Sequence, residues 1–390
     1  MSATLLLTLC TAPLILLTAL PFFKARAWWV RIWDFPRLQL AILLALAALA
    51  QVWWLDVARP APAALLAATL ASLGYQLWWI LPYTRLWRRE VRWADAHESG
   101  PRLRMLSANV LTPNRNAPAL LALIAQHRPD IVVTLESDEW WQAQLAPLHA
   151  QYPHRLACPL DNLYGMHLYS RLPLDQASIE FLVEADVPSM HASVLLHPAG
   201  NGREAVRARL HVLHPAPPSP NEADSSTERD VELVMVAKSL EREDGPIIVA
   251  GDLNDVGWSP TTRLFRKISG LLDPRVGRGM LNSFHAHYWF ARWPLDHFFH
   301  SDHFELVGIH RLPTIGSDHF PVMIELQYHP ANKHQQEGLQ ASGQDRQEAR
   351  AFLREQEASA ADVPEPAAQE GRRLDGQGRG QRARNEKAGW

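Results

Sequence analysis

The chain has 390 residues, 47% of them hydrophobic, and a formal net charge of −3. This length exceeds that of one small domain and allows a soluble domain with a full core, whereas the near-neutral charge argues against a polybasic surface that would coat nucleic acid. The two cysteines, Cys10 and Cys158, lie in different parts of the chain, so no disulfide framework is indicated.

Residues 1–95 have the pattern of a membrane region. Three charge-free apolar runs, 4–23, 38–55 and 61–82, each approach the ~20 residues that a bilayer-spanning helix needs. A cleaved signal peptide is the alternative for the first run, but the basic residues follow that run instead of preceding it. Tryptophans, which favour the headgroup layer, border the runs at Trp28, Trp29, Trp33, Trp53, Trp54, Trp78 and Trp79. We therefore predict three transmembrane helices.

The basic residues predict the orientation of these helices. The first loop carries Lys24, Arg26, Arg31 and Arg37, and the third run is followed by Arg85, Arg88, Arg89 and Arg92. The link between the second and third runs has only Arg59. With three spans, both basic flanks lie on one side of the bilayer, and that side is expected to be cytoplasmic. The prediction is a multi-pass protein of the cell (inner) membrane whose soluble part faces the cytoplasm.

Residues 96–330 alternate short apolar runs with amphipathic stretches, as an α/β domain does. Strands are predicted at 102–111, at "DIVVTLES" (130–137), and at 163–170, 179–184, 191–197, 205–213, 246–251, 295–300 and 319–328. Helices are predicted at 117–128, 138–149, 228–243 and 260–269. Mixed strands and helices with several consecutive hairpin-like strands favour an α/β sandwich.

Residues 331–390 have almost no aromatic or branched apolar side chains, and Gln, Glu, Arg, Ala and Gly dominate. Such a segment buries too little surface to offset the entropy of ordering it, so a disordered polar tail is predicted. The net-basic end, "RRLDGQGRGQRARNEK", leaves open a transient contact with RNA or anionic lipid.

Polar side chains recur in 96–330 at the borders of the apolar strands. They are Asn109, Glu136, His214, Asp252, Asn254, Asp296, Asp318 and His319. Each alone is more often a turn former or a helix cap, but their joint order predicts one shared site. His211 is an alternative to His214; the segment-ending position favours His214, which has the opposite strand parity.

Hydrolysis of a phosphodiester needs side chains of these types. A hard divalent cation neutralises the phosphate, and oxygen ligands such as Glu136 and Asp318 suit Mg²⁺ or Mn²⁺. A carboxylate or an imidazole must orient or deprotonate water. Donors such as Asn254 and His319 could meet the charge on the phosphoryl oxygens, and Asp296 is available to hold an imidazole in one tautomer.

The order Asn, Glu, His, Gly-Asp-x-Asn, Asp-His, Ser-Asp-His resembles the endonuclease/exonuclease/phosphatase superfamily over roughly 102–328. The pieces "GDLND" and "GSDHFPV" are its most specific, and "GMHLYSRLPL" resembles a family strand followed by Ser-Arg-x-Pro. The resemblance implies a four-layered α/β sandwich of two mixed sheets that hydrolyses phosphoester bonds with Mg²⁺ or Mn²⁺. Leu135 stands where the family often has Gln, and Val212-Leu213 where it often has Asn-Thr, so the side chains around the site are expected to differ from the family pattern while the reaction is the same.

The same resemblance implies a role for each residue of the site. Glu136 is expected as the principal metal ligand, with Asn109 and Asp318 close to the metal. In the catalytic set, Asp252 positions or deprotonates water or assists the leaving group, and Asn254 holds Asp252 and the phosphate. The resemblance adds His214 as a contact of the phosphoryl oxygens, and His319, oriented by Asp296, as a contact of the scissile phosphate active in acid/base transfer. Whether Asp252 or His319 is the base stays open.

The predicted function is a membrane-anchored, Mg-dependent phosphoesterase, with a nuclease as one form of it. A phospholipid or sphingomyelin phosphodiesterase is one alternative, and a non-catalytic membrane scaffold that retains the fold is another. The expected partners are a phosphate-ester substrate (nucleic acid or lipid headgroup) and the bilayer, and no obligate protein partner is evident. Tyr288, Trp289 and Phe290 could stack on a base or contact lipid, but a packing role for these rings is favoured.

Overall fold

The secondary structure is a set of apolar helices followed by alternating strands and helices. A computed structural model describes residues 3–23, 25–95, 97, 100–200, 204–219, 224–329 and 335–369. The helices are α1 Ala3–Ala19, α2 Trp28–Arg31, α3 Arg37–Trp54, α4 Pro60–Ile80, α5 Ala117–His127, α6 Glu139–Gln144, α7 Thr227–Leu240, α8 Pro260–Ser269 and α9 Gly343–Glu355. The strands are β1 Arg102–Asn109, β2 Ile131–Leu135, β3 His154–Cys158, β4 Met166–Ser170, β5 Leu174–Glu180, β6 Ser189–His197, β7 Val206–Val212, β8 Ile247–Asp252, β9 Asp296–His300, β10 Phe304–Arg311 and β11 Val322–Tyr328.

Two sheets form the centre of the α/β domain. The first has six strands in the order β10-β11-β1-β2-β4-β3, and the second has five in the order β5-β6-β7-β8-β9. β1 and β2 pair in parallel, as do β7 and β8, and the neighbouring pairings are antiparallel, so both sheets are mixed. The apolar core between them includes Val133 and Ile324 of the first sheet and Leu210 and Phe298 of the second.

Helices cover the outer faces of both sheets. α5 buries Leu120, Leu123 and Ile124 against the first sheet, at the spacing of one helix face. α7, α8 and α9 cover the second sheet in a cluster that includes Phe265 and Leu353. The layers run helix, sheet, sheet, helix, which confirms the predicted four-layered α/β sandwich.

Hydrogen bonds at the start of α8 fix the C-terminal end of the loop between β8 and α8. Ser259 caps α8 by accepting a hydrogen bond from the backbone N–H of Thr262 at 3.0 Å, and Pro260 takes the first helical position. The buried carboxylate of Asp255 accepts from the hydroxyl groups of Ser259 and, at 3.1 Å, Thr262. Residues 253–254 are therefore fixed on one side by strand β8 and on the other by the hydrogen bonds of Asp255.

The three predicted apolar runs are confirmed as helices that are long and apolar enough to cross a membrane, Ala3–Phe23, Arg37–Trp54 and Pro60–Tyr83. They pack together as a bundle whose buried polar side chains bond one another. Gln51 Nε2 donates to Thr11 at 3.1 Å and to Thr69 at 3.0 Å, and Gln76 Nε2 donates to Thr18 at 3.0 Å. Such hydrogen bonds satisfy polar groups that would otherwise face an apolar medium.

The bundle packs directly on the α/β domain through its first loop. The indole Nε1 of the buried Trp258 donates to the carbonyl of Asp34 at 2.7 Å. The Asp34 carboxylate, itself buried, forms ion pairs with Arg31 at 3.1 Å and Arg37 at 2.6 Å. The loop between α1 and α3 and the α/β domain therefore lie at the same end of the bundle.

The prediction of a disordered tail over 331–390 is wrong for residues 335–369. Helix α9 begins at a capping box formed by Ser342 and Asp345. One side of it is buried through Ala349, Phe352 and Leu353. These few apolar side chains are enough to hold the helix in place because α7 and α8 supply the surface on which they pack. The average composition of the segment does not reveal this surface. The rest of the predicted tail, including its basic end, lies outside the described residues.

Candidate active site

The predicted site residues lie at one edge of the two sheets. Asn109 ends β1 and pairs in register with Leu135, the last residue of β2, so that Glu136 follows immediately beside it. In the second sheet Asp252, the last residue of β8, pairs with Asp296, the first of β9. Strand β11 runs antiparallel to β1, so its start, which follows His319, lies at the same edge as Asn109. Hydrogen bonding and charge then bring these side chains together.

Glu136 stands at the centre of the first group. Its backbone is in the left-handed region, with φ +56°, which turns the chain sharply at the end of β2. Asn109 Nδ2 donates to Glu136 Oε1 at 2.6 Å and to Asp252 Oδ2 at 3.2 Å, so one amide joins the two sheets. Burial raises the pKa of Glu136 to about 7, against the opposing effect of the Asn109 hydrogen bond. Within the described chain, Glu136 Oε2 is buried without a hydrogen-bond partner.

His319 lies between two carboxylates. Its Nδ1 is 2.8 Å from Asp296 Oδ2, and its Nε2 is 3.4 Å from Asp252 Oδ2. Burial alone would disfavour the imidazolium, but the carboxylates of Asp252 and Asp296 raise the pKa of His319 to about 10. Burial likewise opposes ionisation of Asp252, but His319 brings the pKa of that carboxyl below its ordinary value. The buried ring of His319 therefore lies between two acidic side chains that favour its protonated form.

The chain before the Asp252–Asn254 turn passes very close to the backbone of Leu213. Gly251 has φ +134°, and a Cβ there would overlap the carbonyl oxygen of Leu213. Asn254, with φ +50°, donates its backbone N–H to Asp252 Oδ1 at 2.9 Å and its side-chain Nδ2 to the Pro215 carbonyl at 3.0 Å. Asn254 thus fixes one oxygen of Asp252 and braces the neighbouring loop.

His214 joins the site and His211 does not. His211 lies on β7, where its ring bonds that of His191 at 2.6 Å inside the domain. His214 is buried after the strand, beside the ring of Tyr164 and within electrostatic reach of Asp252. Burial lowers the pKa of His214 to about 4, so it is neutral at pH 7. The structure therefore favours His214 of the two histidines left open by the sequence.

Asp318 is half-buried at the rim of the site. Its carboxylate accepts from the Ser317 hydroxyl at 3.3 Å, and its backbone carbonyl accepts from the Ala286 N–H at 2.6 Å. Its negative charge acts on both Glu136 and His319, whose pKa values it raises. Asp318 is thus near the group without a direct hydrogen bond to Glu136 in the described contacts.

Two sets of side chains could hold a cation. Ligand atoms of Asp252, Asp296 and His319 lie within 4.8 Å of one another, but these atoms are already joined by the contacts around His319. The predicted set centres instead on Glu136, whose second oxygen is buried and unpaired. An unpartnered buried carboxylate oxygen beside an amide suits a hard divalent cation. The donor set around Glu136 therefore fits Mg²⁺ or Mn²⁺ better than the closed triad does.

Several supporting residues were not predicted. The hydroxyl of Ser317 accepts from the His319 N–H at 3.0 Å, and that of Ser283 accepts from the Asp296 N–H at 3.1 Å. Arg229 donates to the Asn254 carbonyl at 2.8 Å from α7. Ser317 stands inside "GSDH" and could have been found there, whereas Arg229 and Ser283 lie outside every motif and become visible only through the fold.

The model of the Endonuclease/Exonuclease/phosphatase family matches residues 106–319. No curated protein matches the chain. Among solved structures, D. rerio TDP2 complexed with single strand DNA product is 16% identical, covering 58% of this chain and 99% of that chain with a TM-score of 0.48. An endonuclease/exonuclease/phosphatase from Beutenbergia cavernae DSM 12333 is 21% identical, covering 59% and 72% with a TM-score of 0.45. The human Nocturnin catalytic domain is 16% identical, covering 59% and 96% with a TM-score of 0.46. The family match spans all eight predicted site residues.

Proposed function

The chain belongs to the endonuclease/exonuclease/phosphatase family, whose members are hydrolases acting on phosphoester bonds, and from this premise we propose that it is a membrane-anchored phosphoesterase that uses a divalent metal ion. The observation that carries the proposal is one continuous series of hydrogen bonds and ion pairs from Glu136 through Asn109, Asp252 and His319 to Asp296. It joins strand ends of both sheets, so the site depends on the whole domain.

In this mechanism Asp252 accepts a proton from the attacking water. Its carboxylate is ionised beside His319, and the Asn254 N–H holds one oxygen so that the other is directed into the site. His319 is the cationic donor: the looser 3.4 Å separation at Nε2 allows that N–H to turn to a phosphoryl oxygen or to the leaving oxygen. Asp296 keeps the ring in place through Nδ1. Neutral His214 adds an N–H donor to the phosphoryl oxygens.

Glu136, with Asn109 and Asp318 nearby, would hold the metal ion. When bound, Mg²⁺ or Mn²⁺ neutralises charge on the phosphoryl oxygens. The chain itself prepares the site for a cation, because Glu136 Oε2 is buried without a partner. A cation there would favour the ionised carboxylate, which burial otherwise disfavours.

The anchor consists of the three apolar helices, and the proposed location is the cell membrane with the domain in the cytoplasm. The first basic loop contacts the α/β domain through Asp34 and Trp258, which agrees with two spans, α3 and α4, between that loop and the domain. A reporter fused to the C-terminus of the full chain tests the orientation. Fluorescence of a cytoplasm-dependent reporter with no activity of a periplasm-dependent one is expected, and the reverse pattern would refute the orientation.

The reaction is tested with the full chain in detergent micelles and bis-p-nitrophenyl phosphate as substrate. Hydrolysis should require Mg²⁺ or Mn²⁺ and stop with a chelator. Asp252→Asn should lower kcat roughly 100-fold or more, whereas Asp175→Asn, which removes an exposed carboxylate on β5, should have no effect on kcat. If the wild-type chain hydrolyses no phosphoester with either metal, the non-catalytic scaffold becomes the better description.

A further inference from the structure

Residues 284–293, here called the aromatic hairpin, connect the candidate site to the surface. The N–H of Ala286 donates to the Asp318 carbonyl at 2.6 Å, and the ring of Phe284 lies 4.9 Å from that of His319. The hairpin closes on itself between Phe284 and Trp293, whose backbone groups bond each other. One end of the hairpin is therefore part of the wall of the site.

The tip of the hairpin carries three consecutive exposed rings. Tyr288, Trp289 and Phe290 are 52%, 80% and 59% exposed, so the packing role that the sequence favoured for them is wrong. Aromatic side chains bury roughly 150–250 Å² each, so at these exposures the tip presents several hundred Å² of mainly apolar surface. An exposed apolar patch of that size is often a functional surface.

The hairpin lies beside the start of α3, one of the three proposed membrane spans. Gln39 Nε2, in the first turn of α3, donates to the Phe290 carbonyl at 2.9 Å. On the same end of α3, Leu38 and Ile42 are exposed, so the apolar surface of the proposed span continues into the hairpin. Trp and Tyr side chains at the end of a span favour the headgroup layer.

This placement brings the site within reach of lipid headgroups. Trp289 is three residues from Ala286, a separation of roughly 10 Å at most, and the polar layer of a bilayer leaflet is roughly 5–8 Å thick. Arg292 and Arg311 lie over the ring of Phe320, at 5.1 and 4.3 Å, next to His319. Two cations at the rim attract anionic phosphate groups.

We propose that the aromatic hairpin docks in the headgroup layer and that the substrate is the phosphodiester of a membrane phospholipid. This inference rests on the proposed phosphoesterase activity. Water would form a new bond to phosphorus, the bond from phosphorus to one alcohol oxygen would break, and that oxygen would take up a proton. No other reactant is needed.

The substrate is tested with the full chain in vesicles of phosphatidylglycerol and phosphatidylcholine, by measuring lipid loss and bis-p-nitrophenyl phosphate hydrolysis in the same preparation. Wild type should hydrolyse both. The double variant Trp289→Ser, Phe290→Ser should lower the ratio of lipid to soluble-ester rates at least tenfold. Phe181→Ser, which removes an exposed ring from the loop after β5, should leave the ratio within twofold.

Four outcomes overturn the inference. Soluble-ester hydrolysis without lipid hydrolysis refutes the substrate class alone. An unchanged ratio in the double variant refutes the role of the hairpin. Hydrolysis of single-stranded DNA or RNA that depends on Trp289, without lipid hydrolysis, would assign the rings to base stacking. If neither lipid nor soluble ester is hydrolysed, the proposed function itself has failed and the inference falls with it.

Docking is measured separately from activity. In a Cys10→Ser, Cys158→Ser background, an environment-sensitive thiol probe is attached at Trp289→Cys or, as the control, at Phe181→Cys. A quencher carried by the lipids should reduce emission from the probe at 289 and spare the probe at 181. Equal quenching of both probes by aqueous iodide, with no effect of the lipid quencher, would show that the hairpin stays in water.

Discussion

Replacing Glu136 by Gln should make the metal-free protein more stable while abolishing its response to metal. The amide keeps the shape of the carboxylate, and its Oε1 can still accept from Asn109. What it removes is a buried charge whose second oxygen has no partner. Loss of activity together with a gain in stability distinguishes a metal ligand from a residue that simply supports the fold.

The magnitude follows from the pKa. Burial raises the pKa of Glu136 from 4.5 to about 7, and at 1.36 kcal/mol per pH unit ionisation costs up to about 3 kcal/mol, less where water reaches the site. Because the folded-state pKa is raised, the stability linked to this proton is fully present below 4.5 and is lost as the pH rises through about 7. The variant should thus gain about 1 to 3 kcal/mol at about pH 8, roughly 2 to 6 °C in Tm, and almost nothing near pH 4.5.

The assay is thermal unfolding of the full chain in detergent, followed by tryptophan fluorescence with chelator or with excess Mg²⁺ or Mn²⁺. Metal should raise the Tm of the wild type and leave that of Glu136→Gln unchanged. Glu232→Gln is the matched control, because burial raises the pKa of Glu232 to about 8 on α7. It should gain stability in the same way and keep both metal response and activity. A Glu136→Gln protein that is less stable without metal, or is still stabilised by metal, would refute the reasoning.

Three further predictions follow from the packing. Asp296→Asn should lower kcat about 10- to 100-fold and move the alkaline limb of the pH–rate profile downward, since His319 loses one of the carboxylates that raise its pKa; an unshifted limb would contradict this role. Asp34→Ala should destabilise the chain by roughly 3 to 5 kcal/mol by removing the carboxylate that forms ion pairs with two buried arginines, while Asp56→Ala, in an exposed ion pair, should change the Tm little. Leu353→Ala should cost roughly 2 to 5 kcal/mol, and a Tm equal to that of wild type would show that α9 does not pack on the domain.

Hydrophobic patterning predicted most elements of the fold, and the exceptions have physical causes. β3, "HRLAC", is an edge strand with only partial burial, so it lacks the apolar run by which a strand is recognised. β10 contains Gly308 and a register shift beside it, which interrupts its alternation. β5 spans Leu174–Glu180 instead of the predicted 179–184, because exposed polar residues fill its middle.

The candidate site was predictable because its polar residues lie at strand ends. The order of the strands in the sheets then decides which of these ends are neighbours. Asn109 pairs with Leu135, which places Glu136 beside Asn109, and Asp252 pairs with Asp296. Residues that are far apart in the sequence therefore become neighbours at the ends of the strands. Distances inside the site were not predictable. The sequence left open whether Asp252 or His319 is the base, and the two contacts of the His319 ring favour Asp252 because they stabilise the imidazolium.

Composition divides the chain into an anchor, a domain and a tail, but in the structure these parts pack against one another. Val256 and Trp258, which follow the Asp252–Asn254 turn, are buried in a cluster with Ala41, Ile80 and Tyr83 of the apolar helices. Tyr83 also donates to the Gly257 carbonyl at 2.6 Å. Removing residues 1–95 would expose this cluster and leave the indole N–H of Trp258 without its acceptor, Asp34. The helices therefore contribute to the shape of the loop that follows Asp252, and a fragment beginning after them is a poorer test of activity than the full chain.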